Sequence, residues 1–194
     1  ITCLGAGSNT LIRDGGVKGV TIKLGPQFSY MNILKNNIIQ FGAATLDITA
    51  SNYAAKNSLS GIEFLSCIPG SIGGAIKMNS GCYGYEVSKI LDSLEVIDEN
   101  GHLKIISADK IKFSYRSCDL PESYIIVSAN FRTNNEEKDS ILNKQNKLIK
   151  QKKETQPSQI KTCGSTFKNT KNYKAWKLIK ESGCEKLFVG GAKI

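Results

Sequence analysis

Four short stretches of the 194-residue sequence bring together residue types that could do chemistry. The first is Leu4-Gly5-Ala6-Gly7-Ser8-Asn9. Glycines without side chains let backbone N–H groups come close to a phosphate, and they permit the positive φ that an anion-binding nest needs. Ser8 and Asn9 add side-chain donors, and a plain tight turn is the alternative reading. The stretch is not a Walker loop, because no Gly-Lys-Ser/Thr follows, and it lacks the third glycine and following helix of a dinucleotide fingerprint. Asp14-Gly15-Gly16 makes a second turn instead.

The second stretch, from Gly61 to Gly84, holds six glycines in 24 residues, interleaved with apolar residues. That is too many glycines for an efficient helix or strand interior, yet too apolar a pattern for a flexible linker. Either a planar ligand lies against this backbone, or chain packs closely on chain. The third is Tyr115-Arg116-Ser117, where Arg116 is a surface cation or a planar fork for a carboxylate. The fourth is Cys163-Gly164-Ser165-Thr166-Phe167-Lys168-Asn169. There Ser165 is a turn serine or an acid, and no nearby histidine or helix start supports a reactive Cys163.

Bulk properties narrow the classes. A hydrophobic fraction of 40% can build a sizeable core, as one domain or two small ones. No apolar run approaches the roughly 20 residues of a spanning helix. The six cysteines (3, 67, 82, 118, 163 and 184) include no Cys-x-x-Cys pair, and with His102 the sole histidine no metal site is expected. Scattered, unpaired cysteines fit a reducing compartment, so the expected location is the cytoplasm, with no membrane association. The net charge of +9 comes from lysines spread along the chain, with a mild cluster at 144, 147, 150, 152 and 153 on a predicted helix. That distribution disfavours nucleic acid and suits anionic small molecules. His102, beside a turn, reads as merely exposed.

The secondary structure around these residues reads as that of an α+β protein. Ile1–Leu4, Val20–Leu24, Ile38–Phe41 and Tyr124–Phe131 suit strands. Leu94–Ile97 and Leu103–Ile106 flank Asn100-Gly101, a hairpin signal. Leu46–Asn57 is expected to be a helix, with Ile48 and Ala54–Ala55 on one side, and Pro69 to open a short helix. Residues 134–154 repeat apolar pairs (Ile141, Leu142, Leu148, Ile149) at helical spacing and end before Pro157. Thr166–Lys168 is expected as a short strand, and Tyr173–Ser182 as a helix stopped by Gly183. The expected division is residues 1–133 and 134–194.

Read together, Gly-Ile-Glu-Phe (61–64), Ile-Pro-Gly-Ser-Ile-Gly-Gly-Ala (68–75) and Met-Asn-Ser-Gly-Cys-Tyr-Gly (78–84), after the 4–9 loop, resemble the UDP-N-acetylenolpyruvoylglucosamine reductases. Phe113-Ser114-Tyr115-Arg116-Ser117 resembles that family's catalytic arginine segment, and Gly164-Ser165-Thr166-Phe167 its catalytic serine segment. The resemblance implies a flavin-binding fold of the vanillyl-alcohol-oxidase type over 1–133, and part of a substrate domain over 134–194. Both ends of a longer protein would be missing. FAD would be held by Gly5, Ala6, Gly7, Ser8, Asn9, Pro69, Gly70, Ser71, Gly73, Gly74, Ala75, Asn79, Gly81 and Tyr83. The family's roles fall on Arg116 and Ser165 as catalysts, and on Tyr115 and Asn169 as substrate contacts. Arg116 and Ser165 stand 49 positions apart, as in the family's shorter form. A third catalytic group, a glutamate, would lie beyond Ile194. Cys67 and Cys82 stand where small residues are common.

The implied reaction delivers hydride and a proton to an enolpyruvyl ether. Side chains cannot give hydride, so FAD, reduced by NADPH, must supply it. The implied setting is bacterial cell-wall synthesis by a monomer. Two rivals remain at this stage: another flavoprotein oxidase or dehydrogenase of the same fold, and a basic module that binds polyanions without catalysis.

Overall fold

The structure, a computed structural model, describes residues 1–156 and 166–194. It divides into two compact units, Ile1–Thr162 and Cys163–Ile194.

The first unit is built on a five-stranded antiparallel sheet. Its strands are β3 (Met31–Ile33), β4 (Ile38–Gly42), β8 (Leu91–Ile97), β9 (Leu103–Ser107) and β12 (Ile125–Arg132), in the order β3-β4-β12-β8-β9. The middle strands carry the β-branched and aromatic residues that fill a pleated, buried face. Ile39, Phe41, Leu91, Leu94, Val96, Ala129 and Phe131 are all buried, and the Phe41 and Phe131 rings meet at 5.9 Å. Two register shifts break the alternation of β12 against β8. The β8–β9 hairpin turns at Gly101, whose φ of 82° suits a residue without Cβ. Asp98 locks that turn by accepting from the Asn100 and His102 N–H groups and pairing with Lys104, which holds its carboxyl down near 2. His102 is exposed beside it.

Two short helices add to the core beside the sheet. Helix α1 (Asp47–Lys56) buries Ala50, Ala54 and Ala55, and helix α2 (Ile72–Lys77) buries Ile72, Ala75 and Ile76. Ile48 is turned outward and is not part of the buried face of α1. Pro69 does not open α2; Ser71 is its N-cap, and the peptide before it pairs with the strand-like lead into α1 through Asp47 N–H to Gly70 C=O (3.1 Å). Small ladders surround this body. A parallel pair joins β1 (Thr2–Cys3) to β2 (Thr21–Ile22), shorter than the expected 20–24 strand. Antiparallel pairs join β5 (Leu59–Ser60) to β13 (Asn134–Asn135), β6 (Gly81–Cys82) to β7 (Tyr85–Glu86), and β10 (Phe113–Ser114) to β11 (Ser117–Cys118).

Helix α3 (Lys138–Thr155) departs from the expected division near residue 133. It belongs to the first unit because it buries Ile141 and Gln145 there, and Gln145 Nε2 donates to buried Ser51 Oγ on α1 at 2.6 Å. Its lysines are mostly solvated or locally used: Lys144 pairs with Glu136 at 2.6 Å, and Lys152 Nζ donates to the Cys67 carbonyl.

In the second unit, helix α4 (Ala175–Glu181) ends at Gly183, which takes φ 72° as the C-terminal glycine expected there. A hairpin of β14 (Phe188–Val189) and β15 (Ala192–Lys193) follows. Thr166–Lys168 forms no strand. No helix among the described residues is long and apolar enough to cross a membrane, and none of their His, Cys, Asp and Glu side chains form a group of three able to hold a metal.

Candidate functional site

The loop after β1 folds onto the start of α2, so the two glycine-rich segments meet. Ser8 Oγ donates to the Pro69 carbonyl. A Cβ on Gly5 would stand 2.9 Å from Ser71 Oγ and 3.8 Å from the Gly74 backbone. A Cβ on Gly70 would stand 2.6 Å from Asp47 Oδ2, and one on Gly73 3.2 Å from Ala43 Cβ. The two segments therefore approach closely: a Cβ on Gly5 or Gly70 would push on a side-chain end, and one on Gly73 would crowd Ala43. Of the two readings of the segment, chain packing is real, and it coexists with a cavity.

That cavity, about 610 Å³, opens beside the same contact. Leu4, Gly5 and Ala6 form one wall, Ser71, Gly73, Gly74 and Lys77 another, and Ile22, Leu24, Leu46 and Ile126 supply apolar surface. The volume falls in the range of roughly 300–1,000 Å³ that holds cofactor-sized ligands. Bare backbone on one side with aliphatic walls on the other fits a dinucleotide, whose phosphates need close N–H groups and whose rings need apolar cover.

The remaining expected residues fall into two groups. Gly7 takes φ 81° with open space around it, Asn9 is exposed, and Ala75 is core. Beyond α2, buried Asn79 spends its side chain on protein: Nδ2 donates to Ser114 C=O (3.2 Å) and Glu86 Oε2 (3.4 Å), and Oδ1 accepts from Ser88 N–H (3.0 Å). It fixes the loop that presents Gly81. Gly81 lies so close to the Tyr85 carbonyl that no Cβ fits, and its own carbonyl accepts from Arg116 Nη2 at 3.0 Å. Arg116 has φ 58° and stacks on the Tyr115 ring, 5.4 Å from its centroid. Tyr83, also left-handed at φ 52°, puts its hydroxyl 3.4 Å from Thr155 Oγ1 on α3. Thus Arg116, Gly81 and Tyr83 are joined within the first unit. Burial pushes the neighbouring Cys82 thiol up to about 11, with Cys67 adding to the rise and Lys152 and Arg116 opposing it. A thiol held neutral is a poor nucleophile.

Ser165 and Cys163 lie outside the described residues. Asn169, in the second unit, accepts from Ala175 N–H at 2.9 Å and so fastens the start of α4.

Two residues escaped the sequence reading. Asp47 is fully buried, neither carboxylate oxygen has a hydrogen-bond partner among the described residues, and burial pushes its carboxyl up to about 8. In sequence it looks like an ordinary acid in a first helical turn. Lys77 was hidden among glycines, although the spacing of Ser71, Gly74 and Lys77 already places them along one helix face.

Residues 1–107, which include most of the residues lining the cavity, match the FAD binding domain family, so the first unit is of the flavoprotein class. Residues 156–194 match the C-terminal domain of UDP-N-acetylenolpyruvoylglucosamine reductase. The chain is similar to the solved UDP-N-acetylenolpyruvylglucosamine reductase (MurB) of Thermus caldophilus, with 33% identity and a TM-score of 0.89 over 99% of this chain and 70% of that one. It belongs to the UDP-N-acetylenolpyruvoylglucosamine reductase family. Curated relatives of that name include those of Pelagibacter ubique, 49% identical over 94% of this chain, and Orientia tsutsugamushi (strain Ikeda), 45% over 100%. The chain spans 61% and 65% of those relatives' lengths.

Proposed function

We propose that the chain takes part in NADPH-dependent reduction of enolpyruvyl-UDP-GlcNAc to UDP-N-acetylmuramate. The observation that carries this reading is the junction of the 4–9 loop with α2 around one cavity, with Arg116 tied to the far end of the same glycine-rich segment.

In this proposal residues up to 133 hold FAD and those from 134 onward meet the substrate, α3 being physically continuous with the first unit. Gly5, Ala6, Ser71, Gly73 and Gly74 hold the cofactor, while Ser8 and Gly70 set the loop that brings them together. When bound, FAD reduced by NADPH would supply the hydride that no side chain can give. Arg116 orients the substrate carboxylate and offsets the negative charge that grows on it; such a preorganised donor is commonly worth about 3–4 kcal/mol. Its stack on Tyr115 and its bond to the Gly81 carbonyl limit its freedom, so little ordering is left for the moment of reaction. Ser165 gives the proton to the carbon next to the carboxylate, completing addition of hydride and proton across the double bond. Asn169 contacts the nucleotide-sugar part. The setting is the cytoplasm, the monomer the working form, and peptidoglycan synthesis the purpose.

The deciding experiment is anaerobic reduction of bound flavin by NADPH, then reoxidation with enolpyruvyl-UDP-GlcNAc, followed by flavin absorbance. Reoxidation coupled to lactyl ether formation is expected. A flavin that reduces but is reoxidised only by oxygen would favour an oxidase of the same fold.

A further inference from the structure

Lys77, the last residue of α2, lines the cavity. It is the third member of the α2 stripe Ser71, Gly74, Lys77, at i, i+3 and i+6, and all three line the cavity. Its ammonium has three hydrogens to give. One goes to the Leu120 carbonyl at 2.6 Å and one to the Pro121 carbonyl at 3.1 Å. These bonds hold Nζ in place without neutralising it. No carboxylate among the described residues lies within 4.0 Å of Nζ; Glu122 lines the same cavity but is exposed. Lys77 is close enough to Cys3, on β1, to favour that residue's thiolate, although burial outweighs it and raises the thiol. The result is a half-buried, fixed cation lining a cavity that the backbone of Gly5, Gly73 and Gly74 also lines, with two of its three hydrogens given to partners among the described residues.

We infer that Lys77 is an affinity-determining residue for the diphosphate of FAD. The inference rests on the proposed FAD site and adds the group that meets its charge. The diphosphate is the strongly anionic part of FAD, and a lysine bonded to carbonyls keeps its full charge for such a partner. A charge-assisted bond of this kind forms without freezing a mobile side chain, since the carbonyls have already fixed it.

The test is calorimetric titration of flavin-stripped protein with FAD, ADP and riboflavin, at low and high salt. Lys77→Met should weaken FAD and ADP about tenfold, the size of a single charge-assisted contact, leave riboflavin unchanged, and flatten the salt dependence. Lys77→Arg should retain most of the affinity. Lys77→Gln keeps a donor for the carbonyls but no charge, so it decides the matter if Lys77→Met does not fold; it should lose FAD and ADP affinity too. Wild-type affinity for FAD in Lys77→Gln overturns the inference, as does an equal loss for riboflavin, which carries no diphosphate. A stripped wild-type protein that binds none of the three overturns the FAD reading itself, and the inference with it.

Discussion

The Ser8 hydroxyl donates to the Pro69 carbonyl across 61 residues of sequence, and this bond makes one site of two loops. Ser8→Ala should loosen the cradle without touching the core. We expect FAD affinity to fall several-fold, near the net worth of one hydrogen bond at about 1 kcal/mol, while the unfolding temperature of the flavin-free protein stays close to wild type. Fluorescence titration of FAD alongside thermal melts checks both.

A Cβ on Gly70 would stand 2.6 Å from Oδ2 of buried Asp47, so one of the two must shift. Gly70→Ala should therefore destabilise by about 1–3 kcal/mol, the usual cost of overpacking. Combining it with Asp47→Ala should recover much of that loss, and strictly additive effects in a double-mutant cycle of denaturant melts would show the contact to be unimportant.

Asp47 also gives the protein a pH signature. Its carboxyl is raised by burial from the usual carboxylate range to about 8. Between pH 4 and 8 the folded state therefore holds a proton that the unfolded state has lost, so stability should fall as pH rises through that window, by at most about 1.4 kcal/mol per unit. Asp47→Asn should flatten the slope. Thermal melts of flavin-free protein across the window measure it, and parallel curves for the two proteins would sink the assignment.

Arg116→Ala should spare flavin binding and reduction by NADPH while slowing reoxidation by enolpyruvyl substrate by about 100- to 1,000-fold. Arg116→Lys should recover little, because the planar fork is lost with the charge retained. Stopped-flow measurement of the two half-reactions separates these outcomes, and loss of flavin on purification would instead mark Arg116 as a prop for Gly81.

Ser165→Ala should show the same split between half-reactions. Equal loss in both would remove Ser165 as the proton donor.

Ile141 is fully buried on α3. Ile141→Ala should cost about 2–5 kcal/mol, read in the main unfolding transition that also reports the sheet. A separate, earlier transition would detach α3 from the first unit.

Much of this was readable in the residues alone. The hairpin at Asn100-Gly101, helices α1 and α3, and the Gly183 stop follow from local turn chemistry and periodicity, which act between near neighbours. The family resemblance pointed to the FAD-binding class. What the sequence could not decide depended on partners far along the chain. Asn79 stands in the segment that the resemblance gives to FAD, and its side-chain hydrogens go to Glu86 and Ser114, 7 and 35 positions away, which local sequence does not show. Helix α3 reads as the start of another domain, yet Gln145 reaches Ser51, 94 positions back. The burial of Asp47 against Gly70, 23 positions away, has no local signal in the sequence. Local propensity sets which elements form; only the burial of one element against another decides which polar group is spent on the scaffold and which, like Lys77, keeps its charge beside a cavity.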